Sequence, residues 1–427
     1  MNTARIHKLF IESSGVCTDT RKIKSDNLFF ALKGDNFNGN TYAQQAIKNG
    51  ASYAIIDDEK FLVSEKYILV DDVLKTLQDL ATYHRKHLDI PIIALTGSNG
   101  KTTTKELINC VLSSTYNTTA TAGNLNNHIG VPLTLLSMNK STEIGIVEMG
   151  ANHIKEIEFL CNITCPDFGY ITNIGKAHIE GFGSLEGVLQ GKTELYQYLK
   201  QHDNLVFLNA EDPKLSKASE GIDTFTFSQT LDSNVNVKLQ AVNPMVSVNY
   251  KDDVISSHLI GSYNFTNIAA AIAIGHYFKI KPEQIKVAIE SYIPSNNRSQ
   301  IIEKNKSTII LDAYNANPSS MSAAINNFQE LTYNYKTAFL GDMFELGHTA
   351  PEEHQRIANQ LIQTSCNAIY LIGENFFNTT IEDTRIRKYK SFEDLKENES
   401  LEQIRDQGAI LIKGSRGMKL ERILDLI

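Results

Sequence analysis

Short apolar runs alternate with amphipathic stretches along the whole chain, and this alternation predicts its fold. In the first 89 residues the strand-like runs are NLFFAL, YAIID and KYILV, and the helical stretches are TYAQQAIKNG and VLKTLQDLATYHRKHL. The polar, glycine-bearing KGDNFNGN is typical of a loop. Residues 1–89 are therefore predicted to form a first α/β unit.

A second unit is predicted from residue 90 to 295. Its first apolar run, IIAL, follows Pro91, and the runs IGIVEM, FGYITN and NLVFLN alternate with helical patterns. Such alternation predicts a mostly parallel sheet that binds its ligands at the carboxyl ends of the strands. Between about 222 and 260 the strand-like segments are consecutive, which predicts an antiparallel addition made of DTFTFS, VNVKLQAV, MVSVNY and VISSHLIG.

The polar segment YIPSNNRSQ has the composition of a linker, and residues 296–427 form the third predicted unit. Four apolar runs in this part each end in a polar loop before the next helical pattern: STIILDAYNANP, KTAFLGDMFELG, NAIYLIGENF and GAILIKGSRG. This pattern predicts a second open, Rossmann-like α/β sheet.

Charge and composition exclude several classes of function. The net charge of −8, from 41 Lys+Arg and 49 Asp+Glu, gives no reason to expect a nucleic-acid or anionic-membrane partner. The N-terminal stretch lacks the pattern of a secretory signal, and no run approaches about 18 apolar residues. We therefore expect a cytoplasmic protein without membrane insertion. The five cysteines are scattered, so neither a disulfide framework nor a cysteine metal site is expected.

The stretch GSNGKTTT, between the apolar PIIALT and a helical pattern, is the strongest chemical signal in the chain. Glycines let the backbone wrap around a phosphate, Lys101 can reach the terminal phosphates of ATP, and the Thr102 hydroxyl can join a Mg²⁺ shell. The spacing is more compact than G-x-x-x-x-G-K-[ST], because Leu95 stands where that pattern has its first glycine. A turn without nucleotide is the alternative. The predicted ATP-binding residues here, called the phosphate loop, are Gly97, Ser98, Asn99, Gly100, Lys101, Thr102 and Thr103.

Three further residues stand out, and the first two have both an ordinary and a catalytic interpretation. Glu148 ends an apolar strand of the same unit, where a carboxylate can hold Mg²⁺ beside Thr102, although a lone glutamate is usually a solvated charge. His178 lies in a glycine-rich loop after another strand, and is either a satisfied loop histidine or a ligand of a second metal ion. Lys192, in a helical pattern, is by local criteria an exposed lysine that pairs with a nearby acid.

Other polar residues follow predicted strands or begin helices. Asn264 and Asn267, three apart at the start of an alanine-rich helix, can cap it or recognise a purine. Asp312, with Asn315 and Asn317, follows a buried strand and belongs either to a plain turn or to a ligand site. Arg298, in the linker, is a surface residue or closes onto a phosphate.

The order of these stretches along the chain resembles the Mur ligase family from end to end. The segments that carry the resemblance are TDTRKIKSDNLFFALKGDNFNGN, TGSNGKTTTKE, TAGNLNNHIGVPLTLL, EMGANHIKEI, TNIGKAHIEGFGS, GKTELYQYL, GSYNFTNIAAA, DAYNANPSSM, GDMFELG and IKGSRGMKLE. The resemblance implies an N-terminal domain for a UDP-sugar, a central ATPase domain and a C-terminal Rossmann-like domain.

It also implies an activity and its partners. The expected reaction is the ATP-dependent ligation of D-alanyl-D-alanine to UDP-MurNAc-tripeptide through an acyl phosphate, by a monomer. No Asp-Asn-Pro-Arg stretch of the kind found in the branch that adds the third residue is present, which favours the dipeptide-adding branch. Other amide ligases of the superfamily, a phosphate-loop switch protein and an inactive scaffold are the alternatives.

The same resemblance implies a role for each of the following residues. Lys101, Glu148, His178 and Lys192 are expected to be catalytic, and Thr102, Glu148, His178 and Lys192, the last as a carbamate formed with CO₂, to hold two Mg²⁺ ions. Asn264, Asn267, Arg298 and Asp312 are expected to contact the nucleotide. The residues expected to bind the other substrates are Thr20, Arg21, Asn126, Asn127, Asn315 and Asn317.

Overall fold

A computed structural model describes residues 2–295, 297–401, 404 and 408–427, and its three main sheets follow one another along the chain. The mixed α/β class predicted from the apolar alternation is confirmed. The domain boundaries stay a prediction, and the predicted first residue of the third unit, 296, lies outside the described residues. Among the helices of the described ranges, none has both the length and the apolar character needed to span a bilayer.

The N-terminal sheet has four parallel strands in the order β1-β2-β5-β6. Its longest helix begins where the side chain of Asp72 accepts a hydrogen bond from the Lys75 amide (2.8 Å), and it ends at Asp89 in the left-handed conformation. The strands are β1 Val16–Cys17, β2 Leu28–Phe30, β3 Lys33–Gly34, β4 Phe37–Asn38, β5 Tyr53–Ile56 and β6 Tyr67–Leu69, where β3 and β4 form a separate hairpin. The helices are α1 Thr3–Glu12, α2 Ala43–Lys48 and α3 Val73–Leu88, with 3₁₀ turns at Thr20–Lys22, Gly39–Tyr42 and Glu59–Phe61.

Helix α3 attaches this unit to the central one. The Nη2 of Arg85 donates to the Asp167 carboxylate at 2.8 Å, and both residues lie where the two units meet. Nearby, the Nε2 of His84 donates to the carbonyl oxygen of Met138 (3.0 Å), so its Nδ1 accepts from the Nε2 of His7 (3.1 Å). Apolar side chains of both units share one buried cluster, so the attachment is hydrophobic as well as polar.

The central sheet has nine strands in the order β15-β14-β13-β12-β11-β10-β7-β9-β8. The strands are β7 Ile92–Thr96, β8 Thr118–Ala120, β9 Ile144–Glu148, β10 Phe168–Ile171, β11 Leu205–Asn209, β12 Thr224–Ser228, β13 Val235–Val242, β14 Met245–Tyr250 and β15 Asp253–Ile260. The helices are α4 Lys101–Leu112, α5 Gly130–Ser137, α6 Glu156–Thr164, α7 Ile179–Phe182, α8 Leu185–Gln201, α9 Pro213–Ala218, α10 Asn264–Tyr277 and α11 Pro282–Ser291.

The predicted antiparallel addition is correct only for its last strands. The segment DTFTFS, which is β12, pairs in parallel with β11 and with β13. The antiparallel pairs are β13 with β14 and β14 with β15. Helix α9 lies between β11 and β12, and a crossover helix brings the next strand back in the same direction. Alternation within a strand carries no information about its direction, so the pattern alone could not reveal this.

The C-terminal sheet has six strands in the order β16-β17-β21-β18-β19-β20, and all of them are parallel except the edge strand β16. This is the predicted Rossmann-like arrangement. The strands are β16 Gln300–Lys304, β17 Ser307–Asp312, β18 Lys336–Gly341, β19 Ala368–Ile372, β20 Ile386–Tyr389 and β21 Gly408–Lys413. The helices are α12 Pro318–Glu330, α13 Ala350–Ile362, α14 Glu374–Phe377 and α15 Phe392–Asn398, with 3₁₀ turns at Gly347–Thr349, Arg416–Met418 and Leu420–Asp425.

Candidate functional site

A cavity of about 780 Å³, here called the main cavity, lies between the central and the C-terminal sheets. It sits at the carboxyl ends of β7, β9 and β17, where an open α/β sheet binds its ligands. Sixteen residues singled out in the sequence line it: Ser98, Asn99, Gly100, Lys101, Thr102, Thr103, Asn126, Asn127, Glu148, His178, Asn264, Asn267, Arg298, Asp312, Asn315 and Asn317. Residues that are far apart in the sequence therefore share one space.

The phosphate loop joins β7 to α4, and two positions in it accept only glycine. Gly97 has φ 141°, and a Cβ atom there would lie 2.0 Å from the Oγ1 of Thr172. Gly100 has φ 79°, and its Cβ would lie 2.7 Å from the Oδ1 of Asn267. Helix α4 begins at Lys101. The first amides of a helix lack intrahelical acceptors and carry the positive end of its dipole, so this turn can bind an anion.

The segment after β10 braces the phosphate loop. The amide of Asn99 donates to the Oδ1 of Asn173 (3.1 Å), and the Thr172 hydroxyl donates to the carbonyl of Asn99 (2.6 Å). The Ser98 hydroxyl donates to the Gly175 carbonyl (3.1 Å). Sequence reasoning missed Asn173, although an asparagine directly after an apolar strand is the signal that could have found it. Hydrogen bonds from a neighbouring strand thus hold the loop in place.

Lys101 is the cation of the phosphate loop. Its Nζ donates to the carbonyl of Gly97 at 2.7 Å, which folds the side chain back over the loop. Burial lowers the pKa of Lys101, and the positive charge of Arg298 adds to this, whereas the carboxylate of Glu148 opposes it. An anion bound in the loop would stabilise the charged form of Lys101 and so raise its pKa again.

Glu148 is buried beside the loop, and both of its carboxylate oxygens are hydrogen-bonded. One carboxylate oxygen accepts from the Thr102 hydroxyl (3.0 Å), and the other accepts from the Nδ2 of Asn126 (2.8 Å). The hydroxyl and carboxylate oxygens are ligands that Mg²⁺ prefers. Within the described ranges, no three or more His, Cys, Asp and Glu side chains are grouped so that they could hold a metal ion. A Mg²⁺ at this pair would therefore need phosphate or water oxygens, as is common for nucleotide sites.

His178 and Lys192 do not join this carboxylate. His178 is left-handed (φ 53°), and its Nδ1 is hydrogen-bonded to the carboxylate of Glu345 in the C-terminal unit. The local interpretation of Lys192 as an exposed lysine is wrong, because its side chain is fully buried. Its Nζ donates to the carbonyl of Ala151 (2.9 Å), a residue of the cavity wall, and lies 5.0 Å from the centre of the Phe182 ring. Burial, and then the charge of Lys101, lowers the pKa of Lys192 well below its ordinary value.

The two asparagines at the start of α10 hold this helix against α4. The Nδ2 of Asn267 donates to the Oδ1 of Asn264 (2.8 Å), and the Nδ2 of Asn264 donates to the carbonyl of Ile260 (2.7 Å). The Thr104 hydroxyl donates to the Oδ1 of Asn267 at 3.0 Å. The alternative that one of them caps the helix is wrong, because the N-cap residue is Tyr263 and no side chain caps it. Contact with adenine stays a prediction.

The C-terminal unit contributes charged groups to the same cavity. Asp312 accepts a hydrogen bond from the amide of Ser299 (3.3 Å) and forms a buried ion pair with Lys413, whose Nζ lies 2.5 Å from Oδ2. The guanidinium of Arg298 stacks on the ring of Tyr314, 3.7 Å from its centre. Sequence reasoning did not single out Lys413, although a lysine that ends the apolar strand GAILIK is the signal. Its register opposite Asp312 in the sheet is visible only in the structure.

The C-terminal unit also contacts the phosphate loop directly. Asn317 is the N-cap of α12, and its Nδ2 donates to the Oδ1 of Asn99 at 2.7 Å. Lys176, in the bracing segment, pairs with Glu353 (2.5 Å), and its amide donates to the Ser319 hydroxyl (3.1 Å). The position of the C-terminal unit is thereby linked to the conformation of the loop.

The remaining predicted substrate residues lie elsewhere or have structural contacts. Thr20 and Arg21 form a 3₁₀ turn of the N-terminal unit and are not part of the main-cavity lining. The guanidinium of Arg21 is bound to Asp19 (2.9 Å) and is highly exposed. Asn127 lines the cavity, and its Oδ1 accepts from the amide of Gly130 (2.9 Å) at the start of α5. Asn315 lines the cavity at the C-terminal side.

Comparison with known proteins agrees with this architecture. Three family models match consecutive parts of the chain: the Mur ligase family catalytic domain (residues 12–85), the Mur ligase middle domain (95–275) and the Mur ligase glutamate ligase domain (297–416). The UDP-N-acetylmuramoyl-tripeptide–D-alanyl-D-alanine ligase of Bacillus subtilis is 36% identical, over 97% of this chain and 93% of that protein.

Solved structures agree as well. A crystal structure of MurF from Acinetobacter baumannii has a TM-score of 0.85 at 28% identity and covers 96% of this chain and 92% of its own. The structure of MurF ligase from Thermotoga maritima in complex with ADP has a TM-score of 0.84 at 25% identity and covers 98% and 97% of the two chains. Since its sequence matches the family in all three parts and its fold matches those of solved members, the chain belongs to the Mur ligase family.

Proposed function

We propose that this chain ligates D-alanyl-D-alanine to UDP-MurNAc-tripeptide at the expense of ATP. The products are the UDP-MurNAc-pentapeptide precursor of peptidoglycan, ADP and phosphate. The observation that carries the proposal is the main cavity, in which a phosphate loop of the central unit faces charged residues of the C-terminal unit. The relative from Bacillus subtilis is named for this reaction, and the Thermotoga maritima structure contains ADP.

The chemistry explains why two units must face one cavity. A carboxylate at pH 7 is a poor electrophile, so the terminal carboxylate of the tripeptide first takes the γ-phosphoryl group of ATP and becomes an acyl phosphate. The free amine of the dipeptide then attacks the acyl carbon, and the tetrahedral intermediate collapses with loss of phosphate. The barrier falls if the reactants are positioned and the developing negative charge is stabilised.

Residues of this chain supply the positioning and the charge. The amides of the phosphate loop and the Lys101 ammonium bind the β- and γ-phosphates, which offsets the burial that lowers the pKa of this lysine. Arg298 and Asp312 approach the nucleotide from the C-terminal side, and Lys413 keeps the Asp312 carboxylate in one orientation. Asn264 and Asn267 support the adenine side of the site.

Thr102 and Glu148 fit a Mg²⁺ ion, because their oxygens already lie within 3.0 Å of each other at the mouth of the loop. Such an ion would neutralise phosphate charge and stabilise the transition state. His178 and Lys192 are proposed to hold a second ion, with Lys192 as a carbamate. The buried, low-pKa amine of Lys192 favours the neutral form that adds CO₂, in which an N–C bond forms and a proton is lost.

The purified protein can be tested with ATP, UDP-MurNAc-tripeptide and either D-alanyl-D-alanine or single amino acids. We expect phosphate release and a pentapeptide product only with the dipeptide. Phosphate release only with a single amino acid would contradict the assignment and point to another amide ligase of the family.

The carbamate is tested by Lys192→Ala. The variant should lose most ligation activity, with partial rescue by high bicarbonate or a short carboxylic acid. Retention of full activity would rule out a role of Lys192 in the reaction.

The other substrate contacts follow the same proposal. The N-terminal unit binds the UDP-sugar near Thr20 and Arg21, while Asn126, Asn127, Asn315 and Asn317 contact the peptide substrates. A cytoplasmic location is supported by the use of ATP and a UDP-linked substrate. We also propose that the chain acts as a monomer, and a dimer mass in sedimentation at catalytic concentration would contradict it.

A further inference from the structure

A second, smaller cavity of about 240 Å³ adjoins the main one. His178, Asn315 and Asn317 line both, so the two spaces share a wall. Pockets for drug-sized ligands have volumes of roughly 300 to 1,000 Å³. The volume of this cavity lies below that range and suits a peptide of a few residues at most. None of the nucleotide contacts proposed above requires this smaller cavity.

One of its charged side chains is the carboxylate of Glu345. Its backbone is left-handed (φ 61°), a conformation that costs a non-glycine residue about 1 to 2 kcal/mol. Strain of this kind persists where the surrounding structure enforces it and is frequent at ligand sites. The Glu345 carboxylate lines this cavity and accepts a hydrogen bond from the imidazole of His178. It offers a negative charge to a ligand cation.

The opposite charge is the guanidinium of Arg416. Its Nη1 donates a hydrogen bond to the carboxylate of Glu421 at 2.9 Å. Its other N–H groups have no hydrogen-bond partner in the part of the chain that the structure describes, and the side chain is more than half exposed. A guanidinium can bind a carboxylate through two parallel hydrogen bonds.

The loops that carry these two residues are tied together. The Ser415 hydroxyl, beside Arg416, accepts a hydrogen bond from the amide of Phe344, beside Glu345, at 3.0 Å. The ring of Phe344 also lies against Gly417, where a Cβ atom would be 2.7 Å from it. An anionic and a cationic side chain therefore face one small cavity from two loops whose separation is fixed.

We propose that this cavity binds the incoming dipeptide as a zwitterion, with its ammonium group at Glu345 and its C-terminal carboxylate at Arg416. The inference rests on the proposed function and assigns a specificity role to Arg416. Binding at Glu345 leaves the nitrogen beside His178, at the wall shared with the main cavity. Once the ammonium has lost a proton to water, the neutral amine can reach the activated carboxylate from there. Arg416 recognises the far end and thus selects a dipeptide with a free carboxylate.

The test compares D-alanyl-D-alanine with D-alanyl-D-alaninamide, whose carboxylate is replaced by a carboxamide. For wild type, kcat/KM should be about ten- to a hundredfold higher for the acid, since hydrogen bonds between charged groups are worth this much. In Arg416→Gln this preference should disappear because KM for the acid rises, while the amide is used as by wild type. Arg416→Lys should keep part of the preference.

Arg422→Gln is the matched control, because Arg422 is a surface arginine of the same unit that binds Glu393 and does not line this cavity. It should retain the wild-type preference. Glu345→Gln should raise KM for the acid and the amide alike, since both carry the ammonium group. Unchanged binding of an ATP analogue by each variant would show that the fold is intact.

Two results would overturn the inference while leaving the ligase activity in place. One is a wild-type enzyme that uses both dipeptides equally well, and the other is an Arg416→Gln enzyme that keeps the wild-type preference. Failure of wild type to ligate either dipeptide would instead contradict the proposed function itself.

Discussion

Replacing Gly100 with alanine should weaken nucleotide binding more than it disturbs the fold. Gly100 is left-handed (φ 79°), which costs an alanine about 1 to 2 kcal/mol. The new Cβ would also lie 2.7 Å from the Oδ1 of Asn267, which accepts the 3.0 Å hydrogen bond from Thr104, and loss of that bond costs about 1 kcal/mol. The free protein can relax by moving the loop, but a bound nucleotide requires the original conformation.

Binding of ADP would restore this strain, so the binding free energy should become less favourable by about 2 to 3 kcal/mol. This corresponds to a roughly 30- to 150-fold loss of affinity for ADP. Isothermal titration calorimetry with ADP measures this directly, and a thermal unfolding scan measures the loss of stability.

Gly183 provides the matched control. Its φ of 78° is nearly the same, but no atom lies within 4 Å of the point that a Cβ atom would occupy. Gly183→Ala should lose a similar backbone contribution to stability and keep its affinity for ADP. Equal ADP affinities of wild type and Gly100→Ala, or an equal loss in both alanine variants, would refute the proposed role of the loop geometry.

Three further changes have defined outcomes. His7→Gln should flatten the loss of stability below pH 6.5 in thermal scans. Burial, and then the charges of His84 and His87, lowers the pKa of His7 from 6.5 to about 4. The unfolded chain therefore gains its proton first, and the stability that neutral His7 contributes above pH 6.5 is lost as the pH falls toward 4. Identical pH profiles would contradict this. Lys413→Met should destabilise the C-terminal unit by about 3 kcal/mol, because the largely buried carboxylate of Asp312 loses its partner. Adding Asp312→Asn should recover most of the lost stability, as measured by urea unfolding. Asn317→Ala should change the affinity for ADP by no more than about threefold but should slow ligation, because the hydrogen bond to Asn99 is lost. Single-turnover kinetics measure the rate of ligation, and an unchanged rate would show that this contact is dispensable.

Local patterns were sufficient for much of this protein. The alternation of apolar runs predicted α/β units, because strand and helix periodicities are set by residues close in sequence. The stretch GSNGKTTT predicted a phosphate-binding turn for the same reason, since the left-handed Gly100 and the helix that begins at Lys101 are local features. The resemblance of ordered motifs added the family, which the comparisons confirm.

Tertiary structure decided what local patterns could not. The direction of β12 depends on a crossover helix, and the burial of Lys192 depends on what packs around α8, neither of which a sequence periodicity encodes. Lys413 meets Asp312 only because two strands, about a hundred residues apart in sequence, are neighbours in one sheet. The side-chain amide of Asn267 contacts Thr104 of α4 because α10 packs on that helix. The sequence thus determined which groups are present, and the packing of its units determined which of them share a cavity and with what charge.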